Sequence, residues 1–286
     1  MARVTFFLHH QRPEAVELAR QAAAWLLAEG HELRLLAPDA RHAGLDDLAC
    51  DDGGLTAGLD LAVSLGGDGT MLRTVDLVGD DQVPVIGVNL GHLGYLAEVE
   101  PQDLCSSLGR FFAGDHEVQE RMRLTVTVDA PSGTGPDPGS FPALNEAVLG
   151  KTPTGQLVRL SVAVDGEAFT TYPADGIIVA TPTGSTAYAW SAGGPIVSPD
   201  HAALLLTPVA AHSVLDRSLV LPPTASIRLQ VVGNRPATLS VDGRSLGLLA
   251  VGDAIVCTAA EHPARVVTFG RRGFLGILKA KFGLNG

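Results

Sequence analysis

Apolar positions in the first hundred residues fall into short continuous runs separated by stretches of helical period. Residues 4–8 are the first run and predict a strand. A helical stretch opens at Pro13; its Val16, Ala19, Ala23 and Leu26 keep a helical period, and Gly30 stands where a C-terminal cap belongs. Residues 32–36, 59–65 and 83–88 form three more runs. Strands that are apolar throughout and alternate with helices predict a parallel sheet covered on both faces. Beyond residue 115 the texture changes. Residues 123–129, 157–164, 177–181, 227–232, 238–241 and 254–258 are short β-type runs between turn signals, and Asp165-Gly166 and Asp242-Gly243 are hairpin dipeptides. Two helical interruptions are expected near 185–192 and 200–206, and residues 131–139 (PSGTGPDPG) form a loop by composition. A last apolar run at 266–269 leads into a basic, glycine-interrupted tail ending at Gly286. The pattern predicts an α/β domain over 1–115, a β-rich domain over 116–265, and a C-terminal segment, 266–286, returning to the first. No internal repeat is found.

Composition narrows the class. Of 286 residues, 46% are hydrophobic and 18% charged, which excludes global disorder and supports sizeable cores. Twenty Lys and Arg against 31 Asp and Glu leave a net charge of −11, the wrong sign for a nucleic-acid or anionic-membrane binder. Cys50, Cys105 and Cys257 stand alone, with neither zinc-type spacing nor an even count for a disulfide framework. No secretory leader and no run of ~20 apolar residues is present, so the expectation is a soluble cytoplasmic protein. Glycine is in excess, 33 residues against roughly 7% on average, which means many tight turns or backbone pressed against something.

Four segments concentrate that glycine with polar side chains. In the first, the apolar run to Leu65 enters Gly66-Gly67-Asp68-Gly69-Thr70 and then a helical pattern. At the carboxyl end of a parallel strand, glycine amides and a helix N-terminus suit phosphate. Asp68 would repel phosphate; it makes sense as a base toward an attacking hydroxyl, as a magnesium ligand, or as a plain helix cap. The second segment is a glycine loop, Gly87 to Tyr95, carrying Asn89 and His92. The third is Asn145-Glu146, a polar pair inside an apolar stretch, suited to a vicinal diol or else lying on a sheet edge facing solvent. The fourth runs from Asp175-Gly176 through Thr181-Pro182-Thr183-Gly184-Ser185-Thr186-Ala187-Tyr188 to Ser191 and Gly193-Gly194-Pro195. Its hydroxyls suit ribose and base recognition, and Tyr188 a flat ring. Gly150-Lys151-Thr152 fails as a P-loop because Asn145 stands where the first glycine belongs, and residue 72 is Leu, so 67–72 is no dinucleotide fingerprint. His9 and His10 read as strand-end histidines.

Taken together, the four segments resemble the NAD kinase family along most of the chain. Pro208 to His212-Ser213 with Arg217, Asp242-Gly243 and the Lys281-Phe282-Gly283 tail are also similar to family blocks. The GGDG loop alone is shared with lipid kinases and phosphofructokinase relatives; a lipid kinase, or a non-catalytic nucleotide binder on the same scaffold, is the alternative. The resemblance implies a Rossmann-like, phosphofructokinase-like α/β N-terminal domain, a C-terminal all-β sandwich that binds NAD, and a site between them. It implies phosphoryl transfer from ATP or inorganic polyphosphate to the 2′-hydroxyl of the adenosine ribose of NAD, giving NADP. Asp68 would be the general base, with Gly66, Gly67 and Gly69 as the phosphate loop and Arg73 facing phosphates; Gly69 and Arg73 would also be among the NAD-binding residues. Asn145 and Glu146 would hold the nicotinamide-side ribose, with Asp175 near the nicotinamide. Tyr95, Thr186, Ala187 and Tyr188 would surround the adenine, with Ser191 also on NAD. Ala210 and His212 would reach NAD from a neighbouring subunit of a homodimer or homotetramer. Mg2+ or another divalent cation would be held mainly by ATP. In one departure, Ala174 stands before Asp175 where some members carry a basic residue, which leaves open the cation that meets the NAD pyrophosphate; Arg73 is one candidate.

Overall fold

The computed structural model describes residues 1–91, 94–133, 135–152, 156–270 and 273–284, with the backbone alone at 52 and 53. His92 of the second glycine loop, residue 134 of the 131–139 loop, and residues 271–272 and 285–286 of the tail lie outside the described residues. The chain forms two compact units, Met1–Glu120 with Pro263–Gly286, and Arg121–His262. No helix among the described residues is long and apolar enough to cross a membrane.

The first unit is built on a seven-stranded sheet in the order Ala49–Cys50, Glu32–Leu36, Arg3–Leu8, Leu61–Gly66, Val85–Asn89, Ala264–Thr268, Glu117–Arg121. The pairs from Ala49–Cys50 to Ala264–Thr268 are parallel. Leu61–Gly66 is buried at every position, as a strand covered on both faces must be. Pro13 sits at the start of the helix Pro13–Ala28, which buries Ala15, Leu18, Ala19, Ala22, Ala23 and Leu26 against the sheet core. The chain leaves that helix through Gly30 at φ +77°, a backbone angle that favours glycine. From Arg3–Leu8 the chain first builds outward on one side and then returns to add Leu61–Gly66 on the other. The carboxyl ends of these two neighbours therefore form a topological switch point, where open α/β sheets open a crevice.

The second unit packs two six-stranded sheets. One runs Glu167–Ala174, Val158–Val164, Ile227–Val232, Ala254–Ala259, Leu124–Asp129, Ser140–Ala143; the other runs Leu219–Leu221, Leu204–Val209, Gly176–Ala180, Glu146–Gly150, Ala237–Val241, Arg244–Leu249. Leu160, Leu229 and Val126 from the first meet Ile177, Leu149 and Leu239 from the second in one core. Both hairpin dipeptides turn with two left-handed residues, Asp165 (φ +52°) with Gly166 (φ +82°) and Asp242 (φ +47°) with Gly243 (φ +76°), the primed turn that matches strand twist.

Two sequence expectations are corrected. The helix expected near 200–206 is a strand, Leu204–Val209, paired on both sides. Its leucines alternate: Leu204 and Leu206 enter the sandwich core while Leu205 packs on the outer face with Ile178 and Ala189. A run buried on both faces has no polar partner to reveal its period, and Pro208 cannot continue a helix. The expected 185–192 helix resolves into a 3-10 turn, Thr183–Thr186, and a single turn of helix, Tyr188–Ser191. The sheet-edge alternative for Asn145-Glu146 also fails, because Glu146–Gly150 is an interior strand and Glu146 is buried.

Candidate active site

Within the first unit, Leu61–Gly66 ends in Gly67, whose extended backbone caps the helix Asp68–Val78. A Cβ at Gly66 would collide with the Thr70 side chain, so glycine is required for the tight entry into the helix. Asp68 is the first helical residue and makes no capping bond. Instead its carboxylate accepts the backbone N–H of Tyr95 (2.9 Å) on Oδ2 and of Leu96 (3.1 Å) on Oδ1. A Cβ at Gly94 would overlap that carboxylate. The second glycine loop thus exists, in part, to seat the acid of the first. Lys281 of the C-terminal helix Phe274–Phe282 places its Nζ 4.0 Å from the Tyr95 ring centroid, within cation–π range. Burial, and then the Asp68 carboxylate, push the Tyr95 hydroxyl above its usual pKa.

The switch point opens into a cavity of about 440 Å³ lined by residues 8–12 and by Gly67, Gly69, Thr70 and Arg73. Arg73 donates to Asp39 Oδ2 (3.1 Å) and to the Leu8 carbonyl (3.4 Å), with its guanidinium 5.9 Å from the centroid of the Phe7 ring. His10 meets the other oxygen of Asp39 through Nε2 (2.6 Å). His9 and His10 do follow the first strand, as expected, but both face this cavity. Arg12 lines it too, and has no carboxylate partner among the described residues. Among the described residues no cluster of three His, Cys, Asp or Glu could hold a metal ion.

In the second unit, Asp242 does more than turn a hairpin. Its carboxylate accepts the amides of Leu144 (2.7 Å), Asn145 (2.9 Å) and Glu146 (3.0 Å), which fixes the entry to the strand Glu146–Gly150. Thr181 locks the same turn, donating through Oγ1 to the Leu144 carbonyl (2.5 Å) and through its amide to the Asn145 carbonyl (2.9 Å). Gly184 lies so close to the Asn145 backbone that no Cβ fits. Glu146 is buried, its Oε2 has no hydrogen-bond partner among the described residues, and burial with the nearby Asp242 carboxylate raises its pKa to about 8, against an opposing backbone N–H from Tyr188. At neutral pH this is a neutral carboxyl, able to donate as well as accept, with one oxygen unsatisfied. Such a group is a ready partner for a hydroxyl-bearing ligand.

Thr186 and Ala187 are half-buried, and Tyr188 and Ser191 exposed, on the turn that follows Gly176–Ala180. Ala210 (φ +46°) and His212 are exposed after the strand Leu204–Val209, with the His212 amide donating to the Pro173 carbonyl (2.8 Å). Asp175 pairs with Lys151 Nζ at 2.8 Å. The cation beside Asp175 is Lys151, from the segment that fails as a P-loop, and Arg73 lines the cavity of the first unit. Sequence reading missed Lys151, Asp39 and the anchoring role of Asp242. Nothing local marks the first two, and the hairpin signal of Asp242-Gly243 hid the third.

Residues 53–116 match the family profile described as ATP-NAD kinase N-terminal domain, and residues 144–269 the one described as ATP-NAD kinase C-terminal domain. The chain is 41% identical over 283 residues to an NAD kinase of Heliobacterium modesticaldum, covering 98% of each. It is 37% identical over 282 residues to an NAD kinase of Symbiobacterium thermophilum, covering 98% of this chain and 99% of the relative. Among solved structures, a yeast NADH kinase complexed with NADH superposes with a TM-score of 0.91 at 27% identity, covering 100% of this chain and 89% of that one. An Archaeoglobus fulgidus NAD kinase in complex with ATP shares the fold, with a TM-score of 0.74 at 24% identity, covering 99% and 97%.

Proposed function

The chain belongs to the NAD kinase family, and on that premise we propose how its residues turn NAD into NADP. The enzyme transfers a phosphoryl group from ATP to NAD, at the 2′-hydroxyl of the adenosine ribose. The observation that carries our residue assignment is the Asp68 carboxylate, held by two backbone N–H groups at the head of the phosphate-loop helix. A ribose hydroxyl is a weak acid, so the base matters most as the bond to phosphorus forms. In the step we assign, the 2′-oxygen bonds to the terminal phosphorus and its proton passes to Asp68. The phosphorus–oxygen bond to the rest of the donor breaks, and the leaving chain keeps the electron pair. Gly66, Gly67 and Gly69 shape the loop that admits the donor phosphates, and Arg73 offsets their charge.

In the second unit we assign Asn145 and Glu146 to the nicotinamide-side ribose diol, a role supported by the unsatisfied, neutral Glu146 carboxyl. Asp175 is assigned near the nicotinamide, Tyr95, Thr186, Ala187 and Tyr188 around the adenine, and Ser191 to NAD. Ala210 and His212 are assigned to NAD bound by a second copy in a homodimer or homotetramer; their exposure supports that reading. The donor set fits a divalent ion carried by the nucleotide, since Asp68 is the lone carboxylate on the phosphate loop and magnesium sites of this kind are completed by substrate phosphates. Mg2+ bound there would neutralise charge on the transferring group. Inorganic polyphosphate presents the same phosphate chain as ATP and is a second donor in this reading. We place the enzyme in the cytoplasm, where thiols such as that of Cys105 stay reduced. The test is NADP formation from NAD, ATP and magnesium. Asp68→Asn is expected to fold and bind NAD yet lose nearly all turnover, and full activity in that variant would remove Asp68 from the role.

A further inference from the structure

We propose that Asp39, a residue with no place in the reading above, is a positioning residue for recognition of the donor's phosphate chain, acting through Arg73 and His10. The proposal rests on the reading of the 440 Å³ cavity as the donor side of a kinase. Asp39 stands in the first turn of the helix Ala37–Ala43 and is fully buried, at 0% exposure. One of its oxygens meets His10 Nε2 at 2.6 Å and the other meets Arg73 Nη2 at 3.1 Å. The two partners come from different elements, the turn after the first strand and the second turn of the phosphate-loop helix, and both line the cavity beside Gly67 and Gly69. One buried carboxylate therefore joins three segments at the switch point.

A carboxylate without solvent must be paired, and a buried ion pair is no more stabilising than apolar packing of the same volume. The role assigned to Asp39 lies in what it does to its partners. The Arg73 and His10 side chains keep 38% and 44% of their surface exposed, so each is gripped at one end and open at the other. Arg73 uses Nη2 on Asp39 and Nη1 on the Leu8 carbonyl, which leaves part of its five-donor fork for a ligand. A long cationic side chain fixed before the ligand arrives loses less freedom on binding, which raises affinity without a new contact. The phosphate chain is the chemistry that this wall suits. The adenine of ATP and the acceptor NAD are not required for it.

The experiment measures binding of inorganic tripolyphosphate to the full chain by calorimetry, with KM values for ATP and NAD, in the wild type and in Asp39→Asn. The account expects tripolyphosphate to bind ~10-fold more weakly in the variant, KM for ATP to rise by a similar factor, and KM for NAD to stay within about twofold. Combined with Arg73→Ala, the losses are expected to be non-additive, because both changes remove one device. Unchanged tripolyphosphate affinity in folded Asp39→Asn, or additive losses, would overturn the proposal. Should Asp39→Asn fail to fold, a cycle between His10→Ala and Arg73→Ala replaces it: non-additive losses of tripolyphosphate affinity support coupling through the shared carboxylate, and additive ones overturn it. A wild-type chain that makes no NADP would count against the kinase reading, whereas the tripolyphosphate cycles bear on Asp39 alone.

Discussion

The Asp68 carboxylate accepts one backbone N–H from Tyr95 and one from Leu96, and it has space to do so because residue 94 lacks a Cβ. Gly94→Ala therefore tests aim separately from charge. The acid remains, but it must move off its two amides, and kcat is expected to fall at least ~10-fold while the melting temperature shifts by only a few degrees. Steady-state kinetics beside thermal denaturation checks this; unchanged kcat would show that the two amides do not position the acid. Glu146 makes a second prediction through pH. Its pKa is about 8 in the folded chain against 4.5 ordinarily, so the native state holds a proton that the unfolded chain has released across that window. The contribution of Glu146 to stability is fully present below its ordinary pKa of 4.5 and is lost as pH rises through about 8. Glu146→Gln is expected to flatten that slope and to be the more stable protein at pH 9. Urea denaturation at pH 6 and pH 9 decides it, parallel pH dependences in the two proteins being the contrary result.

At the scale of elements, the turn that leads into Glu146–Gly150 is held from outside by Asp242 and Thr181. Thr181→Val removes the hydroxyl that donates to the Leu144 carbonyl and accepts the Gly184 amide, and leaves both buried groups short of a partner. The expected cost is about 1–3 kcal/mol, read by chemical denaturation, with a larger loss of NAD affinity than of ATP affinity. No change in either would show that the turn holds itself. These elements also show what a sequence can and cannot display. The strand runs of the first hundred residues and the hairpins at Asp165-Gly166 and Asp242-Gly243 were legible, because apolar period and left-handed turn residues act over a few neighbours. Leu204–Val209 was not, since a run buried on both faces looks alike as helix or strand. The strands Glu117–Arg121 and Arg244–Leu249 carry exposed positions and little apolar pattern; pairing with neighbours makes them strands. The candidate site divides the same way. Glycine loops and the Asn145-Glu146 pair announce themselves in sequence, whereas Asp39 meets Arg73 across 34 residues and Lys151 meets Asp175 across a strand pair.

On the scale of the whole molecule, the chain leaves the first unit, builds the second, and returns to place Ala264–Thr268 between Val85–Asn89 and Glu117–Arg121. The Glu98 carboxylate receives the Thr268 hydroxyl (2.6 Å) and the Phe269 amide (3.2 Å), tying the return strand in place. A chain truncated before Pro263 would lose an interior strand of the first sheet. It is expected to lose the cooperative unfolding of that unit while Arg121–His262 keeps its β-type circular dichroism. Two intact transitions in scanning calorimetry would contradict this. The net charge of −11 has a place in the same picture. A phosphate-handling enzyme needs a local array of donors and not a basic surface, and the cavity lined by Gly67, Gly69, Arg12 and Arg73 is the place where we propose to find it. The central claim is that this chain makes NADP with Asp68 as the base, and its most direct test is NADP formation from NAD, ATP and magnesium by the wild type and Asp68→Asn side by side. The account predicts NADP with an equal amount of ADP from the wild type, and almost none from a folded, NAD-binding Asp68→Asn. Equal rates from the two proteins, or no NADP from the folded wild type, would contradict it.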